Sequence, residues 1–111
     1  ALGVRHIFTE RDAARQMTLR RGLSVQPGDQ AVVIEDVITT GGSTAEVVAL
    51  LESQGAQVLA AGSIIDRSGG TANVGVPRTA LATLEVKTWD PAACPLCAQG
   101  LEVVKPGSRP V

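Results

Sequence analysis

The passage from AVVIE, residues 31–35, into STAEVVALLESQ, residues 43–54, by way of Gly41 and Gly42, constrains this chain more than anything else in it. A continuous apolar run with turn chemistry before it and glycines after it fits a strand buried on both faces, in the middle of a parallel sheet. Val47, Leu50, Leu51 and Gln54 recur at helical spacing, and Gly55 closes that helix. VLAAGSII, residues 58–65, reads as the next strand. Strand, right-handed crossover helix and strand make up the unit of an open α/β sheet, whose ligands bind beyond the carboxyl ends of the strands. The expected fold class is therefore α/β, with an open, mostly parallel, Rossmann-like sheet.

The flanking segments extend that reading. VRHIF, residues 4–8, has the composition of a short strand, and QMTLRRGLSV, residues 16–25, that of an extended ribbon or hairpin ending in the turn Gln26-Pro27-Gly28-Asp29. A later strand is expected near ALATLEVKTW, residues 80–89. At 111 residues the chain makes one domain, residues 1–111, and 44% hydrophobic against 19% charged residues is enough to bury a core. A formal net charge of -1 without a Lys/Arg run leaves no electrostatic footprint for nucleic acid or an anionic membrane. No stretch approaches the roughly 18–20 apolar residues of a membrane span, and the first residues lack a signal-peptide layout. A cytoplasmic protein that binds something small is expected. With one Phe, one Trp and no Tyr, an aromatic cage does not hold the ligand. The chain opens without Met, directly on an apolar run, and is expected to be a trimmed or partial chain.

Residues 35–44 fall where such a sheet binds its ligand. Gly41 and Gly42 remove the side chains that would keep an anion from the backbone amides. The helix beginning near Ser43 directs unpaired N–H groups and its positive dipole end to the same spot, and Thr39, Thr40, Ser43 and Thr44 add hydroxyls. Those residues suit a phosphate. Glu35 and Asp36 suit the hydroxyls of a vicinal diol and a cationic centre, so phosphate and diol together describe a ribose phosphate. Ser43 with Glu46 is also a capping box, which accounts for both residues without any ligand. The acid pair has no basic partner nearby in sequence, an arrangement that is costly unless the acids serve a purpose.

VVIEDVITTGGST, residues 32–44, resembles the phosphoribosyl pyrophosphate signature of the type I phosphoribosyltransferases. IIDRSGG, residues 64–70, resembles the Asp-Arg segment of the orotate phosphoribosyltransferases. FTERDAARQMTLRRG, residues 8–22, is similar to that family's mobile catalytic loop, and CPLCAQGLEVVKPGSR to the tail of a bacterial subgroup. The likeness covers nearly the whole chain but only the later half or so of a family enzyme, so residues 1–111 alone are expected to lack turnover. It implies transfer of a phosphoribosyl group to orotate, giving orotidine monophosphate and pyrophosphate in pyrimidine biosynthesis, with Mg2+ riding on substrate oxygens and no protein metal ligands.

In that picture Glu35 and Asp36 hold the ribose hydroxyls and steady an oxocarbenium-like transition state. Val37, Ile38, Thr39, Thr40, Gly41, Gly42, Ser43 and Thr44 complete the phosphoribosyl pyrophosphate site, and Thr40 and Arg67 meet orotate. The family's loop carries lysines and a histidine where this chain reads Glu10-Arg11-Asp12. Arg11 is expected at the position of the first lysine, and Arg15, Arg20 or Arg21 is expected to supply further charge to the leaving pyrophosphate, against the alternative of a solvated ribbon face. Because the family loop reaches a neighbouring subunit, the resemblance implies a homodimer. A purine phosphoribosyltransferase and a non-catalytic regulator that senses phosphoribosyl pyrophosphate remain alternatives.

Other residues carry less. Cys94-Pro95-Leu96-Cys97 has metal or redox spacing, yet supplies two of the four ligands a structural zinc takes, so a Pro turn is the plainer reading. His6 is read as a packed or edge residue, and Lys105, Arg109 and the final Pro-Gly-Ser-Arg-Pro as an exposed tail.

Overall fold

The computed structural model describes residues 2–20 and 22–104, so Arg21, Lys105, Arg109 and the tail lie outside the described residues. The first regular element is a hairpin: β1, Thr9–Arg11, pairs antiparallel with β2, Met17–Leu19. Asp12 closes its turn. The Asp12 carboxylate accepts the Gln16 N–H at 2.9 Å, its carbonyl accepts the Arg15 N–H at 3.0 Å, and Arg15 is left at φ 62. A left-handed conformation disfavours any residue with a Cβ. Arg15→Gly should therefore raise stability in chemical denaturation by about 0.5 kcal/mol, the relief of strain less the greater freedom of glycine in the unfolded chain. A lowered denaturation midpoint would count against this reading.

The sheet that follows has the order β3-β4-β5, all parallel: β3 is Gln30–Ile38, β4 is Gln57–Asp66 and β5 is Arg78–Thr83. Helix α1, Gly42–Ser53, crosses between β3 and β4. It ends as its glycine predicts, with Gly55 at φ 89 and the N–H of Gly55 and of Ala56 bonded back to Glu52 and Leu51. The turn at Gln26-Pro27-Gly28-Asp29 forms, with Asp29 N–H on Gln26 O at 3.0 Å. A short 3-10 turn, Pro91–Ala93, and α2, Pro95–Ala98, complete the described elements. None of the described helices is long and apolar enough to cross a membrane.

One layer of core joins helix and sheet. Val47, Val48 and Leu51 of α1 pack with Val33, Ile38, Val58 and Ala61 of the sheet, and Val25, Ala56 and Val74 close the ends. Each large apolar side chain so buried is worth roughly 1.5–3 kcal/mol. The buried stripe of α1 is Thr44, Val47, Val48 and Leu51, one step round the helix from the expected one, and Gln54 is exposed.

Three expectations about strands are corrected. Residues 4–8 form no strand: Arg5 reaches out to Asp29 at 3.0 Å, and β1 begins only at Thr9. β5 begins earlier and ends earlier than expected, at Thr83, before the chain turns off through the single bridge Ser68 to Glu85. β3 is neither central nor buried on both faces. It is an outer strand of this sheet, and α1 covers one face only, leaving Val32 55% and Ile34 72% exposed on the other.

Candidate functional site

The carboxyl ends of β3 and β4 and the start of α1 converge on residues 35–44. β3 continues through Glu35 and Asp36 to Ile38, three residues past the apolar run at 31–35. Consecutive strand residues point to opposite faces. Glu35 therefore shares the helix-covered face with its register partner Ser63, while Asp36 is exposed on the other and accepts the N–H of Val37 at 2.7 Å. Neither acid has a basic partner among the described residues. The Glu35 carboxyl sits above its usual range, first because it is partly buried and then because Asp36 is beside it. A carboxylate raised in this way is stabilised by any cation brought next to it.

The structure removes the capping-box explanation of Ser43 and Glu46. The residue capping α1 is Gly41, at φ 87, and no side chain caps the helix. Ser43 lies inside the first turn, and Glu46 is turned outward to Arg11. Within the first turn, Gly42 N–H makes a long contact of 3.4 Å to Thr40 Oγ1, and among the described residues the N–H groups of Ser43 and Thr44 have no acceptor. Unpaired amides at the positive end of a helix, approached over two glycines, favour an anion. Thr39, Thr40, Gly42 and Ser43 are exposed there, whereas Thr44 is buried at 3% exposure. Ile38 is buried as well, so only its backbone is offered to a ligand, while Val37 is partly exposed.

Arg67 follows β4 and is fixed to this loop by its backbone, its N–H donating to Ile38 O at 2.8 Å. Its side chain is exposed, and it forms no ion pair with Asp66. Asp66 is buried at 1% exposure and binds Arg78 at 2.5 Å and both the N–H and the hydroxyl of Ser68 at 2.7 and 2.6 Å. Ser68 Oγ in turn accepts the Ala72 N–H, and Arg78 Nε donates to Ala72 O. This network braces the loop that carries Arg67 and sets Val74 under Gly41. Sequence reasoning missed Arg78 because its partner lies twelve residues away. It also missed Ser63, whose buried hydroxyl has no hydrogen-bond partner and which lies beside Glu35 in register.

The bonds to Ser68, followed by Arg78, hold the Asp66 carboxyl at about 2, below its ordinary 3.8. A carboxylate depressed in the folded state stabilises the fold above its unfolded value, and that contribution is lost as the pH falls through the folded one. Acid unfolding should therefore show a loss of stability between about pH 4 and pH 2 that Asp66→Asn removes. The same slope in the variant and the parent protein would assign the transition to other carboxylates.

The hairpin brings Arg11 to the site. Its guanidinium bonds Glu46 at 2.8 Å, Arg15 O at 2.6 Å and Ser43 Oγ at 3.2 Å. Arg20 pairs with Glu10 at 3.1 Å, and Arg15 is exposed at the hairpin tip, so of these arginines Arg11 is the one held at the start of α1. No group of three or more metal-ligating side chains forms among the described residues. His6 is exposed in the segment before β1.

No family model matches the chain. Orotate phosphoribosyltransferase of Desulforamulus reducens is 55% identical over 111 residues, which is 100% of this chain and 58% of that protein. Orotate phosphoribosyltransferase of Acidithiobacillus ferrooxidans is 56% identical over 110 residues, or 98% of this chain and 56% of that protein. The chain thus spans somewhat over half the length of these curated relatives. Among solved structures, orotate phosphoribosyltransferase from Aeropyrum pernix is 38% identical with a TM-score of 0.45, covering 51% of this chain and 36% of its own.

Proposed function

Because the chain belongs to the orotate phosphoribosyltransferase family, we propose that it forms the part of such an enzyme that holds the ribose phosphate and steadies the reacting carbon. The reaction is transfer of the phosphoribosyl group of phosphoribosyl pyrophosphate to orotate, giving orotidine 5′-monophosphate and pyrophosphate in pyrimidine biosynthesis. The observation that supports it most is the pair of strand-end acids without a basic partner beside a glycine-lined helix start that no side chain caps.

In this reading residues 39–44 grip the 5′-phosphate through backbone N–H groups and hydroxyls, and that remote binding energy positions C1 of the ribose. Asp36, the exposed acid, receives the ribose hydroxyls and places negative charge beside the cation that forms as pyrophosphate leaves, while the half-buried Glu35 adds charge from the other face of the strand end. Arg11, next to Ser43, faces the departing phosphates once it exchanges Glu46 for them. Arg67, anchored to the phosphate loop through Ile38, presents a guanidinium to the orotate carboxylate, with Thr40 alongside. Mg2+ arrives on substrate oxygens, since this ion dehydrates reluctantly and takes most of its ligands from phosphates and water. When bound, Mg2+ neutralises charge on the pyrophosphate. The enzyme works as a cytoplasmic homodimer.

The test is to mix the full-length protein with phosphoribosyl pyrophosphate, Mg2+ and each nucleobase in turn. Orotate should be consumed and adenine, guanine and hypoxanthine left unchanged; turnover of a purine instead would overturn the reading. Asp36→Asn keeps the shape but removes charge from beside the forming cation. It should lower kcat by about 10- to 30-fold with a smaller loss of phosphoribosyl pyrophosphate affinity. Equal losses in both would reduce Asp36 to a binding residue.

A further inference from the structure

Cys94 and Cys97 take no part in the chemistry above. They lie on one turn after the 3-10 segment, with Pro95 between them opening α2, and α2 packs chiefly on that segment and not on the core. Neither is disulfide-bonded. Two geometric facts set them apart from a plain Pro turn. The Cys94 sulfur accepts the Cys97 N–H at 3.5 Å. Cys94 is partly accessible and Cys97 is exposed. No third cysteine, histidine or carboxylate joins them among the described residues to complete a metal site.

We propose that Cys94 and Cys97 form a thiol–disulfide exchange site that closes reversibly to an intramolecular disulfide on reaction with low-molecular-weight disulfides. The chemistry runs in two exchanges. The Cys94 thiolate attacks one sulfur of a small disulfide RSSR, forming a Cys94–SR mixed disulfide and expelling RS−. Cys97 then gives its proton to solvent and attacks the Cys94 sulfur, forming the Cys94–Cys97 bond and expelling the second RS−. Two electrons pass from the protein dithiol to RSSR, and two RSH are the product once the thiolates are protonated.

The environment divides the two roles. The backbone N–H of Cys97, and then its thiol, draw the Cys94 thiol below its ordinary range. The Cys97 thiol is raised, first by the neighbouring Cys94 side chain. A more acidic, partly exposed sulfur is the attacking group at neutral pH, and its neighbour one turn on is the resolving group.

The reduced full-length protein is incubated with oxidised glutathione, and intact mass and free thiols are followed with time. The wild type should lose both thiols together without accumulating a glutathione adduct, and should recover them on adding reduced glutathione. Cys97→Ser should instead accumulate one adduct, at Cys94, and Cys94→Ser should react about tenfold more slowly or worse. Both substitutions fall on accessible positions outside the core, so folding does not confound the comparison. A persistent adduct in the wild type, equal rates in the two variants, or zinc retained by the thiols of the purified protein would each overturn the proposal.

Discussion

Arg67→Ala in the full-length protein should lower orotate kcat/KM by about 2–4 kcal/mol, roughly 30- to 1000-fold, with phosphoribosyl pyrophosphate binding little changed. Orotate differs from uracil by a carboxylate, and a planar guanidinium meets a carboxylate through two parallel hydrogen bonds that Lys cannot reproduce. Asp66 does not compete for this guanidinium, because Arg78 and Ser68 already occupy it. The backbone of Arg67 is held by Ile38, so truncating the side chain leaves the loop in place and isolates the loss of the charged group. Arg67→Lys should recover only part of the loss. A variant that uses orotate within about twofold of wild type, a change of only ~0.4 kcal/mol, would show that Arg67 does not read the carboxylate.

Gly41→Ala should cost about 2–5 kcal/mol of stability, from about 1–2 for a Cβ in the left-handed region and about 1–3 for overpacking. Gly41 stands at φ 87, and a Cβ there would come within 3.0 Å of Val74 Cγ1 and 3.3 Å of both Ala72 Cβ and Asn73 O. Val74 is 1% exposed, so it has little room to yield. Gly42→Ala is the control. Its φ is ordinary and its nearest neighbour is Thr40 Oγ1 at 3.6 Å, so it should fold with near-normal stability while its methyl group hinders an anion on the amides. Denaturation curves of the two variants separate the effects, and equal midpoints would refute the packing account of Gly41.

Local pattern made most of the fold around the candidate site legible. The apolar run at 31–35, the glycines and the spacing of 43–54 located β3, the loop and α1 to within a few residues, because each depends on neighbours close in sequence. Features set by distant partners were not legible. Asp66 stands next to Arg67 in sequence, but the fold pairs it with Arg78 from the next strand. Ser43 and Glu46 matched a capping motif, but Gly41 caps the helix and Arg11 from the hairpin takes up Glu46. The alternation that sends Glu35 and Asp36 to opposite faces was hidden because the strand runs on through them. VRHIF failed as a strand for the converse reason: propensity without a pairing partner is a weak determinant.

The uncovered face of the sheet governs something apart from chemistry, namely how the chain behaves in concentrated solution. Val32, Ile34, Ile64 and Leu81 stand on neighbouring strands of that face, 55%, 72%, 56% and 85% exposed, and the outer edge of β3 runs beside them. A flat apolar face next to an open strand edge is a template for stacking and edge-to-edge aggregation. A formal net charge of -1 supplies little colloidal repulsion against it. For residues 1–111 handled by themselves, shelf life and usable concentration are therefore set by four aliphatic side chains on the face turned away from α1.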